Sequence, residues 1–303
     1  MSDLAMRFST TMLTFSAPFR TGFDIRPETS SLESLSSKVL FEPEALEPQL
    51  RLELAAGADI LVTPTLDMTP ACLAHQRIED AIEDVAQSAF DVLKLVTPQH
   101  VVVEIGPCGL PLDPTSTISR EQTTQQYRSA IKACVPYVYD AIFLNGMRSY
   151  ADMQCALQAA RELSPLPIIA SISLDEQGNF DNMPWHEARL CMHDADVWGF
   201  ETGASITQIC SLASATTSKF DRPLLVQLRA SLLSEDEQRR LFLGERIEGK
   251  YFATPDMMAD AIEPLQAAGV QFVRASGAAT PAYTAALAAL SAHRPVIKLK
   301  EVK

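Results

Sequence analysis

The chain has no apolar run long enough to cross a bilayer, no Cys-x-x-Cys pair and no excess of basic residues. A spanning helix needs about 20 consecutive apolar residues, so a membrane-embedded role is not expected. Six cysteines (Cys72, Cys108, Cys134, Cys155, Cys191 and Cys210) lie scattered along 303 residues. That is the pattern of reduced thiols rather than of a disulfide framework. A formal net charge of −13 argues against a surface for nucleic acid or for anionic lipid. Neither Gly-x-Ser-x-Gly nor His-Glu-x-x-His occurs, and no Gly-x-Gly-x-x-Gly follows the first predicted strand. The common signatures of a serine hydrolase, a zincin and a dinucleotide-binding sheet are therefore missing. The five histidines show no spacing that brings two onto one helix face. His186, beside Trp185, is the one expected nearest a site. Residues 4–23 hold Ser, Thr and Arg but no acid, a faint likeness to an organelle transit segment. Scattered thiols make the cytoplasm the expected location.

What is present is alternation. Short apolar, β-branched runs occur at 12–15, 58–63, 101–105, 141–144, 167–172, 196–200, 223–228 and 270–273. Near-continuous hydrophobicity marks parallel strands covered on both faces. Between them lie amphipathic stretches, predicted as helices over 44–56, 78–95, 125–135, 150–163, 205–215, 257–268 and 281–292. Eight strands alternating with helices predict one α/β domain, a single (β/α)8 TIM barrel, rather than an open doubly wound sheet. The expected division is an irregular segment 1–39 with the first strand, the barrel over 40–292 and a tail 293–303. Two polar stretches, 176–185 and 234–250, read as insertions after strands five and seven. In a barrel these lie on the C-terminal face, where sites are built, and loops of that length often act as lids.

Several short elements stand in an order that carries a resemblance. They are Ala56-Gly-Ala-Asp59 running into Thr63-Pro-Thr65, Glu104-Ile-Gly-Pro107, Asp140 through Asn145-Gly146, Asp196 through Glu201-Thr202, Pro223 through Ser231, and Gly269 through Thr280-Pro281. Over about residues 40–292 the chain resembles the homocysteine S-methyltransferase family, whose last strand and loop read Gly-Gly-Cys-Cys-Gly-Thr-Thr-Pro. The resemblance implies a barrel fold and methyl-transfer chemistry. In the family, three cysteines hold zinc, which lowers the pKa of the thiol it activates. The matching positions here are Thr202, Ser276 and Gly277. The family's Glu-Thr pair is replaced by Asn145-Gly146, and its Asn-Ala-Gly loop by Arg229-Ala230-Ser231. Hydroxyls are poor zinc ligands and glycine offers no side-chain ligand, so no metal and no resident cofactor is expected. A folate- or corrinoid-linked methyl donor stays open, as does a protein partner in methyl-transfer metabolism. Cys108 reads as a buried thiol, and Cys191 and His193 precede the sixth strand, at the opposite end.

By that alignment, Glu104, Asn145, Glu201, Arg229 and Arg274 fall at the C-terminal ends of strands, with Arg148 and Asp181 in nearby loops. An arginine is costly to bury unless it meets an acid or an anion, and its planar fork suits carboxylate or phosphate. The expectation is a small anionic metabolite held between Arg229 and Arg274, assisted by Ser276 and the backbone at Gly277. Glu104 and Glu201 would serve as acid and base or bind an amine. The same residues can instead pair internally, Arg274 with Glu104 or Arg229 with Glu201. Three functions follow: a methyltransferase-like enzyme, a non-catalytic binder of a metabolite or partner, or a barrel lyase or aldolase-like enzyme. No lysine falls at a predicted strand end, which disfavours Schiff-base chemistry.

Overall fold

β-branched and aliphatic residues fill the eight runs because both faces of each must be covered. The computed structural model describes residues 4–7, 10–19 and 34–299. Eight strands close into a parallel barrel: β1 Leu13–Phe15, β2 Ile60–Val62, β3 His100–Ile105, β4 Ala141–Asn145, β5 Ile168–Ser173, β6 Val197–Thr202, β7 Leu224–Ala230 and β8 Phe272–Gly277. β8 closes the ring by pairing with β1, Phe15 lying opposite Arg274. The order of strands and the single (β/α)8 architecture match the sequence expectation.

Alternation along each strand divides the core in two. Leu13, Phe15, Ile60, Val62, Val102, Phe143, Ile169, Leu225 and Phe272 point inward and fill the barrel. Leu4, from a short helix Leu4–Arg7, joins them. The outward residues pack under the helices in a second, larger cluster.

The N-terminal rim is latched by a repeated device. Asp59, Asp140 and Asp196 each directly precede a strand, and each accepts a backbone N–H from the strand before it: Thr14 at 2.9 Å, Val101 at 2.8 Å and Ile168 at 2.8 Å. The aspartate of Ala56-Gly-Ala-Asp59 is thus a strand latch, remote from the C-terminal mouth.

Helix boundaries depart from expectation where polar chemistry intervenes. The helix predicted from residue 125 begins at Thr117, because Ser116 caps it by accepting from Ser119 N. Its first turns carry few apolar residues, which hides them from a periodicity argument. The helix predicted over 257–268 is two helices, Pro255–Ala259 and Ile262–Ala267. Pro264 lacks the N–H that a continuous helix would bond, so it fits only in a first turn. Likewise Pro48 starts Glu47–Ala55 after a separate 3-10 turn at Pro43–Ala45. The described part of 1–39 holds helix Leu35–Phe41 in addition to β1. The insertion after β5 forms a hairpin, Asn179–Phe180 with Met183–Pro184. Asp181 and Asn182 adopt positive φ at its tip, as tight hairpin turns require. The insertion after β7 holds helix Glu235–Phe242, started by a capping box between Ser234 and Glu237.

Candidate active site at the C-terminal mouth

Above the apolar filling, the inward positions turn polar. The change occurs at one level: Glu104 on β3, Asn145 on β4, Ser171 on β5, Gln227 on β7 and Arg274 on β8. These residues form one buried network. Arg274 Nη1 donates to Glu104 Oε1 at 2.6 Å, and Arg274 Nε donates to the Ser16 carbonyl at 3.0 Å. Asn145 Nδ2 donates to the same Glu104 Oε1 at 2.7 Å. Gln227 accepts from Arg274 Nη1 at 3.3 Å and donates to Asn145 Oδ1 at 2.9 Å and Ser171 Oγ at 2.8 Å. The ion pair has almost no solvent contact, with side-chain exposures of 0% for Arg274 and 4% for Glu104. The guanidinium also lies 5.3 Å from the Phe143 ring centroid. Thr63 and Thr65 hold the strand beneath: Glu104 N donates to Thr63 Oγ1, and Thr65 Oγ1 donates to the Glu104 carbonyl.

One layer higher, β5, β6, β7 and β8 build a second cluster around Glu201. Its Oε1 accepts Arg229 Nε at 3.3 Å and Ser276 Oγ at 2.8 Å. Its Oε2 accepts Arg229 Nη2 at 3.3 Å and Ser173 Oγ at 2.6 Å. Burial alone would push this carboxyl up, but the bonds from Arg229, Ser173 and Ser276 outweigh it and hold Glu201 below the ordinary glutamate value. The pair opens to solvent, at 41% for Arg229 and 20% for Glu201. Glu201 spends both oxygens on the side-on edge of the guanidinium. Arg229 Nη1 makes no hydrogen bond among the described residues, so the free edge of the fork is left at the mouth.

The sequence-derived residues therefore separate into two groups. Arg274, Glu104 and Asn145 meet in the buried layer; Arg229, Glu201, Ser276 and Gly277 meet at the mouth. Arg274 and Arg229 do not face one open space: the former is enclosed and already neutralised. Both internal pairings weighed from the sequence occur. In the nearby loops the Arg148 backbone N–H donates to Asp152, and the Asp181 carboxylate accepts Tyr150 N. His186 is exposed beside Glu187. Gln227, Ser171 and Ser173 went unnoticed in the sequence, although Gln227 is the only polar residue in Leu224-Leu-Val-Gln-Leu228, a pattern that signals a buried hydrogen-bonding task.

A family model described as homocysteine S-methyltransferase matches residues 9–290. The chain belongs to the homocysteine S-methyltransferase family. Among solved structures it is similar to the homocysteine methyltransferase MmuM from Escherichia coli. For the metallated form the TM-score is 0.70 at 17% identity, over 94% of this chain and 98% of that one. The oxidised form gives 0.67 at 17% identity, over 92% and 95%. A glycoside hydrolase family 5 enzyme, PbGH5A from Prevotella bryantii, gives 0.55 at 9% identity, over 96% and 99%. At these identities the likeness is one of fold. No curated protein matches the chain.

Family membership implies a zinc site, and the residues here can be tested against it. The positions that the sequence resemblance matches to the family's cysteines carry Thr202, Ser276 and Gly277. Thr202 Oγ1 accepts Ala204 N in its own loop, and Ser276 Oγ is spent on Glu201. Two engaged hydroxyls and a glycine do not fit a thiolate zinc centre. Among the described residues, no group of three or more His, Cys, Asp or Glu side chains could hold a metal ion, and no helix is long and apolar enough to cross a membrane.

Proposed function

We propose that this family member is a methyltransferase-like barrel that works without thiolate-bound zinc and binds a small anionic metabolite at its mouth, with Arg229 as the anchor. The observation that carries the reading is the free guanidinium edge of Arg229, held in place by a Glu201 whose own acceptors are all occupied. A fork with one edge fixed and the other open loses little entropy on meeting a planar anion. Methyl transfer is the reaction class that family membership supports, and a folate- or corrinoid-linked donor is compatible with it. Glu201 is suited to positioning Arg229. Held ionised and fully bonded, it is a poor general acid.

A second reading, a binder without catalysis, is favoured by one specific feature: neither Glu104 nor Glu201 has a free proton-transfer role in this arrangement. The lyase alternative would need Glu104 open to substrate, whereas Arg274 and Asn145 cover it. The test is a thermal-shift screen of metal-stripped protein against amino acids, thiols, folates, small phosphates and dicarboxylates, with zinc measured on the protein as purified. An anion that raises the melting temperature, and no longer does so in Arg229→Ala, is the expected result. Stoichiometric protein-bound zinc with a shift from homocysteine would refute it.

A further inference from the structure

The backbone at position 277 leaves no room for a side chain. Gly277 pairs in register with Ala230, and Ser276 with Arg229, across the β7–β8 ladder. A Cβ at 277 would lie 2.7 Å from Arg229 Cγ and 2.8 Å from the Ala230 carbonyl oxygen. Its φ of +63° also favours glycine. The aliphatic stem of Arg229 thus occupies the space that a cysteine side chain at 277 would need. The head of the same side chain lands on Glu201, directly before Thr202 and bonded to Ser276. Of the three positions matched to zinc cysteines, Ser276 bonds the carboxylate that holds this guanidinium, Gly277 lies against its stem, and Thr202 follows Glu201 in sequence.

We propose that the Arg229 guanidinium is the cationic centre of this mouth in place of a metal, that Gly277 is the residue its stem demands, and that its open edge takes a carboxylate. The carboxylate part rests on the anion-binding reading above; the steric part does not. Two parallel N–H donors on a planar fork match a carboxylate's two oxygens, while Glu201 supplies the model for that contact on the other edge. The Glu201 charge offsets that of Arg229, so recognition depends on geometry more than on net charge. A thiol offers no such pair of acceptors.

The test restores the cysteines. One protein carries Thr202→Cys, Ser276→Cys and Gly277→Cys with Arg229 kept; a second adds Arg229→Asn, the family's residue. After equilibration with zinc and dialysis, the second protein is expected to retain about one equivalent and the first at least about tenfold less. Equal zinc in both, or zinc in neither, overturns the equivalence of guanidinium and metal. A second measurement needs neither metal nor ligand. Gly277→Ala is expected to lower the melting temperature more in the wild type than in an Arg229→Ala background; equal losses overturn the steric claim. For the ligand, succinate is the probe. It is expected to slow phenylglyoxal modification of Arg229, read by peptide mass, at least about threefold. No protection, or protection by inorganic phosphate alone, overturns the carboxylate. Failure there, with the Gly277 result intact, would count against the anion-binding reading and leave the steric replacement standing.

Discussion

Two Arg–Glu pairs sit one layer apart in the same barrel, and they differ in burial and in how fully they are bonded. The deep pair, Glu104–Arg274, is sealed at 4% and 0% exposure and supported by Asn145, Gln227 and the Ser16 carbonyl. The mouth pair, Glu201–Arg229, is open at 20% and 41% and leaves one edge of its arginine unused. Chemically identical pairs thus differ in depth, one forming a sealed floor and the other lying open at the mouth. Burial raises the cost of separating charges, whereas solvent at the mouth makes the pair exchangeable.

The comparison breaks most sharply at the floor. Arg274→Ala orphans a buried carboxylate and is expected to cost about 3–5 kcal/mol of stability, measured by urea unfolding. Removing both charges, with Arg274→Met and Glu104→Gln together, is expected to cost less than the sum of the single changes, because neither partner is then left as an uncompensated ion. At the mouth, Arg229→Ala is expected to change stability by at most about 1 kcal/mol, since exposed pairs contribute little, while abolishing the anion-dependent thermal shift. The smallest effect is one of pH. Glu201 is held below its ordinary value by Arg229, Ser173 and Ser276 against the opposing pull of burial. A folded-state value below the unfolded one contributes stability that is present above the ordinary value of 4.5 and is lost as pH falls through the folded-state value. Glu201→Gln is expected to remove that acid-side loss and leave the neutral-to-alkaline profile unchanged.

The barrel was legible in the sequence because its strands are near-continuous apolar runs, a pattern that local residues carry by themselves. Tyr150–Leu163 and Pro281–Ser291 were equally plain, being amphipathic or apolar helices with clear starts. The charged residues of the candidate site were legible as a list, since charged side chains at strand ends stand out. Their sorting into two layers was not. Arg274 meets Glu104 across 170 residues, and which inward position lies at which depth is set by the stagger of the closed barrel. Gln227 and Ser171 are single polar residues in apolar strands, and their bonds run to different strands, which no local window contains. The crowding at Gly277 was hidden for the same reason: a Cβ there would meet the Arg229 stem and the Ala230 carbonyl, both on the neighbouring strand.

The most direct measurement compares urea unfolding of Glu104→Gln and Glu201→Gln at neutral pH. The same substitution is made in each pair, so chemistry is held constant and depth alone varies. The account expects Glu104→Gln to lose about 3–5 kcal/mol and Glu201→Gln about 1 kcal/mol or less. Equal losses would contradict the division into a sealed floor and an open mouth pair.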